Sequence, residues 1–189
     1  MNDMALFIIF FGFVILQRLI ELLIAARNEN WMKKQGAIEF GDRHYPVIVW
    51  MHVLFLACFI IEKTAFNRGL SYLWPAWLTI FLLVQGLRIW AIGSLGRYWN
   101  TKILVLPNAQ VIRGGPYKFI KHPNYLVVVI ELLVIPAMFS AYGTACIFSL
   151  LNACLLVFRI KEEERSLKQF TAYEEAFHAC NRFVPKIGK

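Results

Sequence analysis

Residues 114–125 read Gly114-Gly115-Pro116-Tyr117-Lys118-Phe119-Ile120-Lys121-His122-Pro123-Asn124-Tyr125, a run of turn-formers, aromatics, cations and one histidine between two long apolar stretches. A polar segment flanked by stretches of bilayer-spanning length places its chemistry at a membrane surface. Downstream, Arg159-Ile160-Lys161-Glu162-Glu163-Glu164-Arg165 forms a second polar cluster, again at the end of an apolar run. The two clusters are expected to meet in one site.

The remainder of the chain agrees with a membrane setting. Hydrophobic residues make up 59% of the 189, and the mean hydropathy of +0.55 exceeds what a globular surface tolerates. Lys and Arg outnumber Asp and Glu by 20 to 12. A basic excess can mean nucleic acid, anionic lipid, or a phosphate- or carboxylate-bearing ligand; placement matters more than the total, and in this membrane setting no nucleic acid is expected. Cys58, Cys146 and Cys154 lie in apolar runs and Cys180 lies near the end, with no CxxC spacing, so packing is expected and neither a disulfide framework nor a metal site. The first apolar run, from Met4 to about Ala26, has no preceding Lys or Arg and no following small-residue cleavage signal, and it reads as a retained membrane helix.

Runs of about spanning length, roughly 17–25 residues, fall at 4–26, 46–61, 73–93, 125–141 and 144–160. The expected fold is therefore an all-α integral membrane protein of about five transmembrane helices in a single domain, with 1–93 as a three-helix scaffold and 94–189 as the half carrying the site. Ala141-Tyr142-Gly143-Thr144 is too short for anything but an antiparallel helical hairpin between the last two runs. From Glu162 to about Cys180, Leu167, Phe170, Tyr173 and Phe177 recur three or four apart, predicting a C-terminal amphipathic helix against the bundle. The segment 94–121, with Pro107 and two consecutive glycines, reads as a loop with a short extended piece. The loop at 62–72 carries only Lys63 and Arg68, whereas the other connections and the tail are cation-rich, which predicts an outside N-terminus and both polar clusters on the cytoplasmic side.

Several residues invite a chemical reading beside a structural one. Pro123 disfavours helical geometry at His122 and starts a helix well, so His122 belongs at a helix mouth, where unpaired N–H groups suit an anionic ligand group. It equally suits a cap at headgroup depth, with Tyr117 and Tyr125 as interfacial aromatics. Arg159 and Glu163 project one turn apart from one helix face. They fit a ligand carrying both a carboxylate and donor groups, or a membrane anchor followed by a solvated acidic run. Arg18, Glu21 and Glu131 fall inside apolar runs, where charge demands a partner. Arg18 can pair with Glu21, while Glu131 either lines a cavity or faces Arg88 or a hydroxyl on another helix.

Taken together, Gly115-Pro116-Tyr117, Lys121-His122-Pro123-Asn124-Tyr125, Arg159, the Glu162–Glu164 run, Leu167, Phe170, Tyr173 and the closing Arg182-Phe183-Val184-Pro185 resemble the isoprenylcysteine carboxyl methyltransferase family over roughly residues 95–188. The resemblance implies an integral membrane enzyme using S-adenosyl-L-methionine without a Rossmann fold, and the chain has no glycine-rich strand-turn-helix fingerprint. It implies cofactor contacts from Gln110, Val111, Ile112, Tyr117, His122, Pro123, Asn124, Tyr125 and Glu163, and acceptor-carboxylate handling by Arg159. Lys121 stands where the family usually has arginine, which keeps charge but loses the planar fork.

The implied reaction is methyl transfer to a carboxylate, hydroxyl or enol oxygen of a lipophilic acceptor, prenylated or otherwise lipid-like, that reaches the site from the membrane. A carboxylate acceptor needs no base; an enol or phenol benefits from one, for which His122 or Glu131 would serve. Competing readings are an NADPH-dependent reductase of a sterol-like lipid, and a small transporter or scaffold whose basic face meets anionic lipid.

Overall fold

The computed structural model describes residues 3–178 and 180–185. Among the described residues run five long helices: α1 (Asp3–Lys34), α2 (Tyr45–Ala65), α3 (Trp74–Leu95), α4 (Pro123–Met138) and α5 (Tyr142–Phe170). A short strand β1 (Ile38–Phe40) precedes α2, β2 (Ile103–Val105) follows α3, and a small helix α6 (Tyr173–Phe177) lies in the tail. Prolines stand in the first turn of α2, α3 and α4, where the missing N–H costs nothing and the fixed φ favours the helix. Four of the helices are long and apolar enough to cross a membrane. The fourth apolar run forms a shorter helix of 16 residues, about 24 Å at 1.5 Å per residue, against a hydrocarbon core of roughly 30 Å. Its hairpin with α5 is as tight as expected, with Ser140 in the left-handed region at φ +57°.

Helix ends and membrane edges do not coincide. With 32 and 29 residues, α1 and α5 reach about 48 and 43 Å and overshoot at the same end of the bundle. The tail helix expected to begin at Glu162 is instead the uninterrupted continuation of α5 to Phe170, because residues 161–170 contain neither Gly nor Pro and are mostly good helix formers. The chain turns extended only at Thr171, φ −143° and ψ 169°, leaving the five residues of α6 as a separate helix.

The overshooting ends support a polar cap that the sequence only partly announces. β1 pairs antiparallel with β2, Ile38 opposite Val105 and Phe40 opposite Ile103. Lys33 and Lys102 bridge Glu29 and Glu39 across this edge at 2.6–3.2 Å. Asn28 Nδ2 donates to the Trp99 carbonyl at 2.7 Å, fastening α1 to the loop after α3. At the opposite end the core is aromatic: Phe7 meets Phe59 and Phe139 edge-on at 5.3 Å, geometry that adds to their area burial.

In mid-bundle, charges close a ring. Arg18 of α1 contacts Glu21 at 2.8 Å and also Glu131 of α4; Arg88 of α3 contacts Glu21 at 2.7 Å and also Glu131. Gln17 and Gln85 fill the remaining positions, Gln17 donating to Glu21 and to Gln85, and Gln85 donating to Glu131 at 2.7 Å. Two cations and two anions cancel formally, which makes burial at this depth tolerable. Glu131 thus finds the partner that its position demanded in Arg88, and a second in Arg18.

Candidate functional site

The glycine-rich turn sets the floor of the site. Gly115 has φ +53°, and a Cβ there would lie 2.0 Å from Ser94 Oγ and 2.7 Å from Trp90 Nε1. Only glycine lets the 3₁₀ turn Gly115–Lys118 press its backbone onto α3. That turn buries Tyr117, and the chain then reaches His122, non-helical at φ −127° and ψ 61°, immediately before Pro123 opens α4. His122 therefore occupies the helix mouth that the His-Pro pair predicted.

Three consecutive glutamates follow Arg159 on α5, and at about 100° per residue they cannot share a direction. Glu163 lines the cleft. Glu164 turns instead to His122, whose Nε2 lies 3.0 Å from Oε1, and takes both arms of Arg182 at 2.9 and 2.7 Å. A carboxylate only accepts, so His122 Nε2 carries the proton; in the neutral ring Nδ1 remains an acceptor, 3.8 Å from Glu163. The tail is pinned further by backbone bonds from Lys121 N to the Asn181 carbonyl and from His122 N to the Arg182 carbonyl.

The resulting cleft of about 150 Å³ has apolar walls from Met32, Leu104, Val111, Ile112, Leu167 and Phe177, and polar groups from Tyr117, His122, Glu163 and Tyr173. Burial, with Glu163 adding to it, pushes the Tyr117 phenol well above its ordinary value, so it stays protonated. Burial does the same for Tyr173, again with Glu163 and Glu164 contributing. Among the described residues the Tyr173 hydroxyl is buried without a hydrogen-bond partner, as is Asn124 Oδ1, whose amide nitrogen donates to the Tyr117 hydroxyl at 3.3 Å. Buried polar atoms left unpaired beside a cavity are suited to a ligand that completes them.

Beside the cleft, Tyr125 links Glu163 to Arg159. Its hydroxyl donates to Glu163 and accepts from Arg159 Nε at 2.9 Å. Arg159 also donates through Nη2 to the Thr101 carbonyl, and its guanidinium lies 5.7 Å from the Tyr125 ring centroid. Tyr45, at the start of α2, meets the Thr101 hydroxyl at 3.1 Å. Among the described residues Arg159 Nη1 has no partner, so one edge of the fork remains available.

Of the residues marked from sequence, Gln110, Val111, Ile112, Tyr117, His122 and Glu163 line one cleft. Pro123 is buried at the helix start, and Asn124, Tyr125 and Arg159 form the adjoining layer. Glu131 does not join them: nine residues beyond His122 on α4, it lies about 13 Å along the helix, engaged in the charge ring. It is no candidate base for this cleft. Sequence reasoning missed Glu164, Arg182 and Tyr173 as site residues and Met32 of α1 as a wall. Arg182 carried a usable signal, since a tail arginine returning to an acidic helix run is a natural latch.

The fold and cleft define an all-α membrane protein with a polar cleft at one end of its bundle. Residues 77–169 match the family described as isoprenylcysteine carboxyl methyltransferase (ICMT), and the chain belongs to that family of membrane methyltransferases. It is 46% identical over 166 residues to the uncharacterized protein YpbQ of Bacillus subtilis, covering 88% of this chain and 99% of that one. A Haemophilus influenzae protein, also uncharacterized, is 30% identical over 83% of this chain and 92% of its own length. The cobalt-zinc-cadmium resistance protein CzcN of Cupriavidus metallidurans is 24% identical over 78% of this chain and 67% of its own length.

Proposed function

We propose that this protein transfers a methyl group from S-adenosyl-L-methionine to an oxygen of a lipophilic, membrane-embedded acceptor, on the cytoplasmic side of the membrane. The observation that carries the reading is the hydrogen-bonded chain Glu163–Tyr125–Arg159, which ties a cleft suited to a nucleoside to a cationic fork on the same helix face.

The residues present fit the donor. The apolar walls suit a purine, Glu163 suits ribose hydroxyls or an ammonium group, and the Tyr173 hydroxyl, unpaired among the described residues, supplies a donor. At about 150 Å³ the cleft is smaller than the roughly 300–1,000 Å³ of typical ligand pockets, so binding requires it to widen. The segment around Ala109–Val111 has a second groove behind it, formed with Gln169–Ala172, into which it can give way. When bound, the cofactor supplies an activated methyl group on a positively charged sulfur.

The protein's part is alignment. Arg159, steadied by Tyr125 and the Thr101 carbonyl, holds an acceptor carboxylate through its remaining edge, and fixing two reactants in line supplies much of the rate such a reaction needs. For a hydroxyl or enol acceptor, His122 Nδ1 would receive the proton, a reading supported by its position in the cleft wall.

The test is calorimetric titration of the purified protein with S-adenosylhomocysteine and, separately, NADPH. Binding of S-adenosylhomocysteine that weakens by about 1–3 kcal/mol in Tyr117→Ala and in His122→Ala is the expected result. Binding of NADPH alone would replace methyl transfer with reduction. Incubating lipid extracts with labelled methyl donor, followed by mass analysis, then identifies the acceptor.

A further inference from the structure

Outside the cleft, the most unusual surface is a shallow groove lined by Lys161, Glu164, Arg165, Lys168, Gln169 and Arg182. Five of these six come from one face of α5, at spacings of three, one, three and one residues, and Arg182 closes the groove from the tail. Glu164 is already committed to Arg182 and His122, and Lys168 reaches Glu174 at 2.9 Å in an exposed pair. Lys161 and Arg165 have no ion-pair or hydrogen-bond partner among the described residues. The groove is therefore cationic in effect, in spite of the acidic run beside it.

Its position relative to the bilayer selects the ligand. The outward face of α5 runs Ile147, Leu150, Leu151, Val157 and Phe158, all exposed and apolar. Continuing the same helical stripe by three or four residues gives Lys161, then Arg165, then Lys168, also exposed. The cations thus stand directly above the lipid-facing stripe. Counting from Phe158 at about 1.5 Å per residue, Lys161 lies about 4.5 Å further along the axis and Arg165 about 10 Å. The headgroup layer is roughly 5–8 Å deep on each side of the hydrocarbon core, and long basic side chains reach several ångströms along it.

We propose that this groove binds the phosphate of an anionic membrane lipid, with Lys161 and Arg165 as the principal contacts and Arg182 as the third cation. A zwitterionic lipid offers the same phosphate but adds a cation that meets the basic wall, so selectivity for the anionic headgroup follows. Because Arg182 holds both the groove and the Glu164 latch, a bound headgroup also lies against the tail that closes the cleft. The inference does not depend on what the cleft binds.

The test uses the full chain in nanodiscs of phosphatidylcholine containing a minority of phosphatidylglycerol, released into mild detergent so that native mass spectrometry counts retained lipids. Each interfacial cation is worth roughly fivefold in affinity for anionic lipid. The Lys161→Gln/Arg165→Gln double variant should therefore lose preferential phosphatidylglycerol retention by about thirtyfold. An Arg27→Gln/Lys34→Gln double variant, equal in net charge and altered on exposed positions of α1 at the same end, should retain it as wild type does. Equal retention in wild type and the groove variant overturns the proposal, as does equal loss in the α1 variant, which would make the attraction diffuse. Displacement of phosphatidylglycerol by inorganic phosphate would make the groove a soluble-anion site and overturn the lipid assignment.

Discussion

On the proposed reading single residues divide the labour of the site, and Arg159 and Glu163 separate most cleanly by substitution. Both touch Tyr125, yet only Glu163 lines the cleft. Glu163→Gln should mainly weaken S-adenosylhomocysteine binding, by about 1–3 kcal/mol, because an amide accepts less strongly from hydroxyl and ammonium donors. Arg159→Lys keeps the charge but cannot hold Tyr125, Thr101 and an acceptor in one plane, so cofactor affinity should stay near wild type while turnover falls at least about tenfold. Wild-type turnover in Arg159→Lys would remove the carboxylate-orienting role and turn attention to a hydroxyl or enol acceptor with His122 as base. Gly115 tests the floor beneath them: Gly115→Ala forces a side chain into Ser94 at a left-handed φ, and a loss of about 2–4 kcal/mol in thermal or denaturant unfolding is expected. His122 at a helix mouth was readable because proline after it constrains the backbone. Which glutamate the Arg182 latch takes was not, since sequence alone cannot say which of three adjacent glutamates faces which way.

At the level of elements, the charge ring decides how α1, α3 and α4 stay together. Apolar helices gain little from meeting each other in lipid, so buried polar contacts weigh more. Glu131→Ala leaves Arg18 and Arg88 facing one carboxylate, and removal of one partner from such a buried set typically costs about 3–5 kcal/mol. Glu131→Gln should also lower the melting temperature in detergent, and adding Arg18→Gln, which restores formal neutrality, should recover part of the loss. If Glu131→Gln abolished methyl transfer without moving the melting temperature, Glu131 would be a catalytic base after all. The existence of five apolar helices was legible because lipid-length runs are a strong pattern, and so was the need of Glu131 for a partner. The continuation of α5 past the membrane edge was not, because hydropathy marks where lipid ends while helix formers such as Lys161–Glu164 carry the helix on. Likewise β1 is three residues long, too short for alternation to reveal, and exists through its pairing with β2.

For the whole molecule, the distribution of cations over the two ends of the bundle argues for one orientation. The last turn of α2 and the connection to α3 hold only Lys63 and Arg68, and both are engaged: Lys63 Nζ donates to the Arg68 carbonyl, and Arg68 approaches Glu62 at 4.0 Å. The opposite end presents Arg27, Lys34, Arg43, Arg97, Lys118, Lys161, Arg165 and Lys168 as exposed cations beside the cleft. On the proposed reading a water-soluble methyl donor from the cytoplasm would enter at that same end, so the charge rule and the proposed chemistry favour one placement. In a background with the cysteines at 58, 146, 154 and 180 replaced by alanine, Asn67→Cys and Lys118→Cys both introduce thiols at exposed positions at opposite ends. An impermeant maleimide applied to intact cells should label position 67 and leave position 118 untouched until the membrane is opened. The reverse pattern would put the cleft outside, where neither the cofactor nor the positive-inside asymmetry would fit, and both the cytoplasmic placement and the methyl-transfer reading would have to be abandoned together.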